Sequence, residues 1–249
     1  MKIALLSFEY PPETGFGGIG TYTWYQARAL VKLGHDVHVL AGATESTGLR
    51  AQEHDGVKVF RFRSDGSVIG CFRRLDKWRL WWTKNRLENA VSMYRAFRTL
   101  RHENHYDVVE MPECGAEGFL LNHLTRARTI IKFHSPARLI MPFYDVRRSD
   151  ITLCSLVEQI GIRGAGGFSA CSTFAAKEAR DKLAVSRPIR VIPNGIDLDL
   201  FDAAEQVDIR SRYEIPRGRV MVFFSGRMEQ RKGIHLCKEI ASSILERYP

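Results

Sequence analysis

The strongest constraint on this chain is a rhythm of short apolar runs set between helical patterns. Lys2–Ser7 (KIALLS) is an almost unbroken apolar run, the kind buried on both faces of a parallel sheet. Runs of the same type follow at Asp36–Leu40 (DVHVL), Val57–Phe62 (VKVFRF), Tyr106–Val109 (YDVV), Arg128–Phe133 (RTIIKF), Gly167–Ala170 (GFSA) and Ile189–Ile192 (IRVI). Helical spacing of apolar residues fills intervals at Tyr22–Leu33, Arg73–Arg101, Ala116–Thr125, Ser149–Arg163 and Phe174–Leu183. Gly34 closes the first of these helices, and Ser172 is the expected N-cap of the last. Such β–α alternation folds through right-handed crossovers into a parallel sheet with helices on both faces. The expected class is therefore α/β, with a Rossmann-like parallel-sheet domain.

The rhythm pauses and restarts. Pro193–Ala204 (PNGIDLDLFDAA) carries Pro, Asn-Gly and several Asp, and reads as a turn and linker. Arg219–Ser225 (RVMVFFS) then reads as a new strand and Lys232–Tyr248 as an amphipathic helix. One strand and one helix cannot enclose a core. The expected division is a first domain over 1–200 and, over 201–249, the incomplete start of a second.

Several classes are excluded. No run approaches the ~20 apolar residues of a membrane-spanning helix, and MKIALLSFEYPP lacks the apolar stretch and cleavage site of a signal peptide. The five cysteines include no CxxC pair and no His at zinc-ligand spacing, so a reduced, cytoplasmic setting without a metal is expected. Of the net charge of +9, +7 lies between Gly70 and Arg101, so the chain is not a general polycation. Within that segment Trp78, Trp81 and Trp82 stand at i, i+3 and i+4 among Lys and Arg. They read either as a face for peripheral contact with an anionic membrane, at its inner side, or as an apolar stripe buried on its own domain. Nucleic acid is not an expected partner, because no recognised binding module is present.

Two loops carry candidate chemistry. Gly15 to Gly20 spells GxGxxG, but about seven residues, two of them proline, separate it from its strand. Ala41-Gly42-Ala43 also stands where a dinucleotide site has its acidic residue, so the dinucleotide reading fails. Glycines that let the backbone approach a ligand at a helix start remain a reading for Gly17 and Gly18. In Gly226-Arg227-Met228-Glu229-Gln230-Arg231-Lys232-Gly233, two cations flank the start of the restarted helix, as a diphosphate site requires. Asp197-Leu198-Asp199 spells DxD, but in a turn, where Asp makes local hydrogen bonds; it is not read as a metal site.

Four motifs in order, FEYPPETGFGG, FHSP, VIPNGID and GRMEQRKG, make the chain resemble the retaining glycosyltransferases of family 4, which have the GT-B fold. The resemblance spans essentially the whole chain. It implies a complete Rossmann-like first domain, the first β–α unit of a second Rossmann-like domain, and transfer of a sugar from a nucleotide-sugar to a glycan or glycolipid acceptor. It assigns His134 to the transferred sugar, Gly17, Gly18, Arg227 and Lys232 to the donor diphosphate, Glu9 and Glu113 to the acceptor side, and Asn194 and Gly195 to the junction. It implies no cofactor and no metal. The Glu-x7-Glu pair of the family's second domain has no counterpart before Pro249, so a truncated chain with part of the donor site is expected. A GT-B nucleotide-sugar 2-epimerase and a non-catalytic membrane- or acceptor-binding fragment are the alternatives.

Overall fold

The computed structural model describes residues 1–15, 17–44, 48–63, 70–203 and 207–248. Phe16 of the glycine loop, Ala204 of the linker and the Cys71 side chain therefore lie outside what is described. The chain divides into two compact units, Met1–Ile196 and Asp197–Pro249.

The first unit is built on one sheet. Its strands are β1 (Lys2–Ser7), β2 (Asp36–Ala43), β3 (Arg50–His54), β4 (Val57–Arg63), β5 (Val108–Pro112), β6 (Thr129–Phe133), β7 (Gly167–Ala170) and β8 (Arg190–Val191). Their order across the sheet is β3-β4-β2-β1-β5-β6-β7-β8, and every pairing is parallel except β3 with β4. Alternate residues of a strand point to opposite faces. In β1 this sends Ala4 and Leu6 into one core, with Phe97, Leu121 and Ala179, and Ile3 and Leu5 into the other, with Ala27 and Val39. Both faces are thus sealed, which explains the unbroken apolar runs.

The helices of this unit are α1 (Gly18–Lys32), α2 (Arg74–Lys77), α3 (Trp81–Glu103), α4 (Gly118–Leu124), α5 (Ala137–Ile140), α6 (Arg148–Gly161) and α7 (Thr173–Leu183). Ser172 caps α7 as expected, its hydroxyl accepting from the Ala175 N–H at 3.0 Å. The single helix expected over Arg73–Arg101 is instead two. Arg79 adopts a left-handed φ of 57° and separates α2 from α3. Trp78, Trp81 and Trp82 consequently do not form one face. Trp78 and Trp81 are 63% and 53% exposed, whereas Trp82 packs against Ala137, Met141 and Cys154.

The second unit holds α8 (Leu198–Asp202), α9 (Ile209–Arg212) and α10 (Cys237–Arg247), with 3-10 turns at Gln230–Lys232 and Ile234–Leu236. The strand expected at Arg219–Ser225 is not formed. A strand exists only as part of a ladder, and among the described residues of this unit none pairs with it; Val220 and Phe223 are 89% and 76% exposed. The linker is also more ordered than expected, since α8 begins inside it.

Candidate active site

The chain order reverses at β1, which has β2 on one side and β5 on the other. Ligands of open parallel sheets bind in the crevice that such a reversal opens at the carboxyl ends of the strands. The loops that follow β1, β5 and β6 converge there, and three buried carboxylates tie them together. Glu117 accepts the Phe8 N–H, after β1, at 3.3 Å. Glu113, just past β5, accepts the His134 N–H at 3.0 Å and the Ser135 N–H at 2.6 Å, both after β6. Glu158, from α6, accepts the Ala137 N–H at 2.8 Å and lies 3.7 Å from the buried Arg86 of α3.

Burial dominates the electrostatics of this cluster. It pushes the Glu113 and Glu117 carboxyls up to about 8 and Glu158 up to about 7, against the pull of Arg86 on the latter two and of the backbone N–H donors. Glu113, expected on the acceptor side, is only 1% exposed and lies beneath the loop, so it supports His134 from below.

The glycine loop has a different internal logic from the one expected. Gly15 has a φ of 64°, and a Cβ there would meet the Glu9 Cβ at 2.4 Å. A Cβ on Gly17 would meet a Glu9 carboxylate oxygen at 2.7 Å, and one on Gly20 would meet the Gly15 carbonyl at 2.6 Å. These glycines fold the loop tightly around Glu9. Gly18, at the start of α1, instead faces open space. Among the described residues the α1 N-terminus has no side-chain cap, and uncapped helix N-termini favour anions in general.

His134 stands at the end of β6. Its ring meets Tyr22 of α1 edge to face, with 5.1 Å between centroids. Burial, helped by the charge of Lys132, lowers its pKa to about 4, so the imidazole is neutral near pH 7. Around it, Tyr22 donates to Glu110 at 2.6 Å and Lys132 donates to the Ile192 carbonyl at 2.8 Å. Tyr22, Glu110, Lys132, Arg86, Glu117 and Glu158 were not singled out by sequence reasoning. The spacing of Lys132 and His134 on one strand was the available signal for one of them.

At the junction, Asn194 and Gly195 are exposed just after β8, and a Cβ on Gly195 would meet nothing. Within the second unit, Arg227 pairs with Glu229 at 3.1 Å, and Glu229 also pairs with Arg231 at 3.0 Å. Lys232 ends a 3-10 turn before Gly233, whose φ is 78°, and α10 begins only at Cys237. The expectation that Lys232 opens the helix is corrected: the left-handed Gly233 interrupts the winding. The expected DxD falls at the start of α8, with Asp199 in its first turn. Among the described residues, no group of three or more His, Cys, Asp or Glu is arranged to hold a metal ion.

A mostly parallel sheet with helices on both faces, and a crevice at its point of reversal, defines a Rossmann-like α/β protein of the GT-B type. The family model described as Glycosyltransferase Family 4 matches residues 16–200, and the chain belongs to that family. No curated protein sequence matches the chain. Among solved structures, sucrose-phosphate synthase from Thermosynechococcus elongatus is similar with a TM-score of 0.71 at 19% identity, covering 98% of this chain and 60% of that one. The catalytic domain of starch synthase IV from Arabidopsis thaliana, bound to ADP and acarbose, is similar with a TM-score of 0.56 at 15% identity, covering 98% of this chain and 66% of that one. At these identities the likeness is one of fold. The chain spans 60% of the length of the sucrose-phosphate synthase structure.

Proposed function

We propose that the protein transfers a sugar from a nucleotide-sugar donor to the hydroxyl of a glycan or glycolipid acceptor, with retention at the anomeric carbon. The observation that carries this is a neutral His134 held by its backbone N–H on buried Glu113, beside a glycine loop, in a chain of this glycosyltransferase family. The chemical difficulty is departure of a diphosphate while positive charge develops on the sugar. Arg227 and Lys232 would stabilise the growing negative charge on the leaving group, and the open N-terminus of α1 at Gly17 and Gly18 would add N–H donors. His134 would donate or accept a hydrogen bond to the transferred sugar without bringing a charge against the developing cation. Glu9, half-buried in the glycine loop, would face the acceptor, and Asn194 and Gly195 would form the junction turn. The departing phosphate would take the proton of the acceptor hydroxyl, and no cofactor or metal is needed.

The test is an incubation with nucleotide-sugars with and without candidate acceptors. Nucleoside diphosphate released only when acceptor is present, and unaffected by a chelator, is the expected result. Isomerised donor without diphosphate release would replace transfer by epimerisation. Arg227→Ala is expected to weaken donor binding by about tenfold or more, since a charge-assisted hydrogen bond contributes about 1.5–3 kcal/mol; unchanged donor affinity would remove Arg227 from the site.

The proposal extends to a peripheral contact with the inner, cytoplasmic face of an anionic membrane through Trp78 and Trp81, which are exposed beside Arg73, Arg74, Lys77 and Arg79. Among the described residues no helix is long and apolar enough to cross a membrane. Co-sedimentation with anionic vesicles at low salt, lost in the Trp78→Ala, Trp81→Ala double variant, is the expected result; binding that survives the double substitution would end this part of the proposal.

A further inference from the structure

Lys132 is a costly residue to find where it is. It is 2% exposed, on a sheet strand, and burying an ammonium is unfavourable unless it is compensated. A methionine would fill similar space without that penalty, so packing alone does not account for it.

Its surroundings do. Lys132 precedes His134 by two residues on and beyond β6, so the two side chains emerge on the same face. The Lys132 Nζ donates to the Ile192 carbonyl at 2.8 Å, the first residue after β8 and the start of the junction. To reach it the side chain crosses β7, which lies between β6 and β8. The same ammonium sits 4.4 Å from the centroid of the Tyr22 ring. That ring is the one against which His134 packs, and its hydroxyl is held by Glu110. Tyr22, Glu110, Lys132 and His134 together line one small cavity at the ends of β5 and β6. One buried cation therefore touches both the aromatic wall of His134 and the backbone where the chain leaves the sheet.

We propose that Lys132 is a positioning residue, whose buried ammonium fixes the exit point of the junction at Ile192 and, through the Tyr22 ring, holds His134 in one orientation. The groups that face this arrangement come from four elements. Lys132 itself is on β6, Glu110 is on β5, Tyr22 is on α1 and Cys171 follows β7; Glu113 binds the His134 N–H from below. Burial lowers the Lys132 pKa, and the Glu110 carboxylate beside it offsets part of that effect. This cation repels a proton from His134, adding to the effect of burial. The inference deepens the role given to His134 under sugar transfer and rests on it for its significance, but not for its test.

The test uses the whole chain and no donor. Histidine ring resonances are followed by NMR against pH, and the Ile192 amide, which donates to the Ala170 carbonyl at 2.9 Å, is followed by hydrogen exchange. In the wild-type protein His134 is expected to stay neutral down to about pH 5, below an ordinary histidine at ~6.5. Lys132→Met is expected to raise the His134 midpoint by about one pH unit or more and to speed Ile192 exchange by about tenfold or more. Lys132→Arg keeps the charge, so the His134 midpoint is expected to stay low. A Lys132→Met protein with both readouts at wild-type values would overturn the proposal. So would a wild-type His134 that titrates near 6.5, or a Lys132→Arg protein whose His134 midpoint rises to that value; these two remain decisive if the methionine variant does not fold. Failure to detect sugar transfer would leave all of these readouts untouched, so the two ideas fail separately.

Discussion

Glu113 shows how little a sequence says about the surroundings of a carboxylate. The family resemblance assigns it to the acceptor side, but burial of a carboxylate has no periodic signature, and only the tertiary structure turns it under the His134 loop. Its neighbours were less legible still. Arg86 reads as one more cation of a basic helix, and Glu158 lies far along the chain; the fold brings them together at 3.7 Å. Gly115 gives the nearest hint, since a Cβ there would meet the Glu117 oxygens at 2.6 Å and its φ is 94°. The cluster has a pH consequence. Its carboxyls are raised to between about 7 and about 8 in the fold but ionise near 4.5 in the unfolded chain. Across that window the native state holds protons that the unfolded state has lost, so these groups make stability fall as pH rises. His38 and His134, both lowered to about 4, act oppositely: their contribution is lost as pH falls from ~6.5 towards 4. Thermal melts are therefore expected to show greatest stability in the mildly acidic range. Glu113→Gln, which keeps an acceptor without a titrating proton, is expected to flatten the alkaline decline; an unchanged slope would mean that Glu113 is already ionised in the native protein.

Elements were the most legible level, and their failures share a cause. Strands β1, β2, β4, β6 and β7 follow from apolar runs because burial on both faces leaves a continuous signal. β3 (RAQEH) was not expected, since an exposed edge strand needs no apolar residues. The split of the basic helix was equally hidden. Its second half starts at Trp81 without a local cap, and the missing acceptor comes from Asp150 in α6. The Asp150 carboxylate accepts the Trp82 N–H at 2.9 Å, the Thr83 N–H at 2.8 Å and the Thr83 hydroxyl at 2.6 Å. A cap supplied from the first turn of another helix, distant in sequence, cannot be read locally. Asp150→Ala leaves buried donors without this acceptor and is expected to cost about 2–4 kcal/mol in urea unfolding, with Asp150→Asn intermediate. A loss below about 0.5 kcal/mol would show that water replaces the carboxylate readily.

At the scale of the molecule, the two units differ in kind. The first seals both faces of its sheet, whereas the second leaves Val220, Val222 and Phe223 at 89%, 70% and 76% exposed. The apolar pattern of 219–225 suits a strand, yet none forms there, as expected of a segment with no neighbouring strand to pair with among the described residues. Hydrogen exchange is expected to run near the unprotected rate at 219–225 while the central strands of the sheet exchange slowly, and protection at 219–225 in the isolated chain would contradict this. The sheet itself ends in β3, whose Arg50 and Glu53 place charge along one margin, and in β8, only two residues long. Neither margin offers a long apolar template to another molecule. Concentration-dependent association of this chain should therefore spread from 219–225 and spare the sheet, so that polar substitutions at Val222 and Phe223 would be the economical way to keep it in solution.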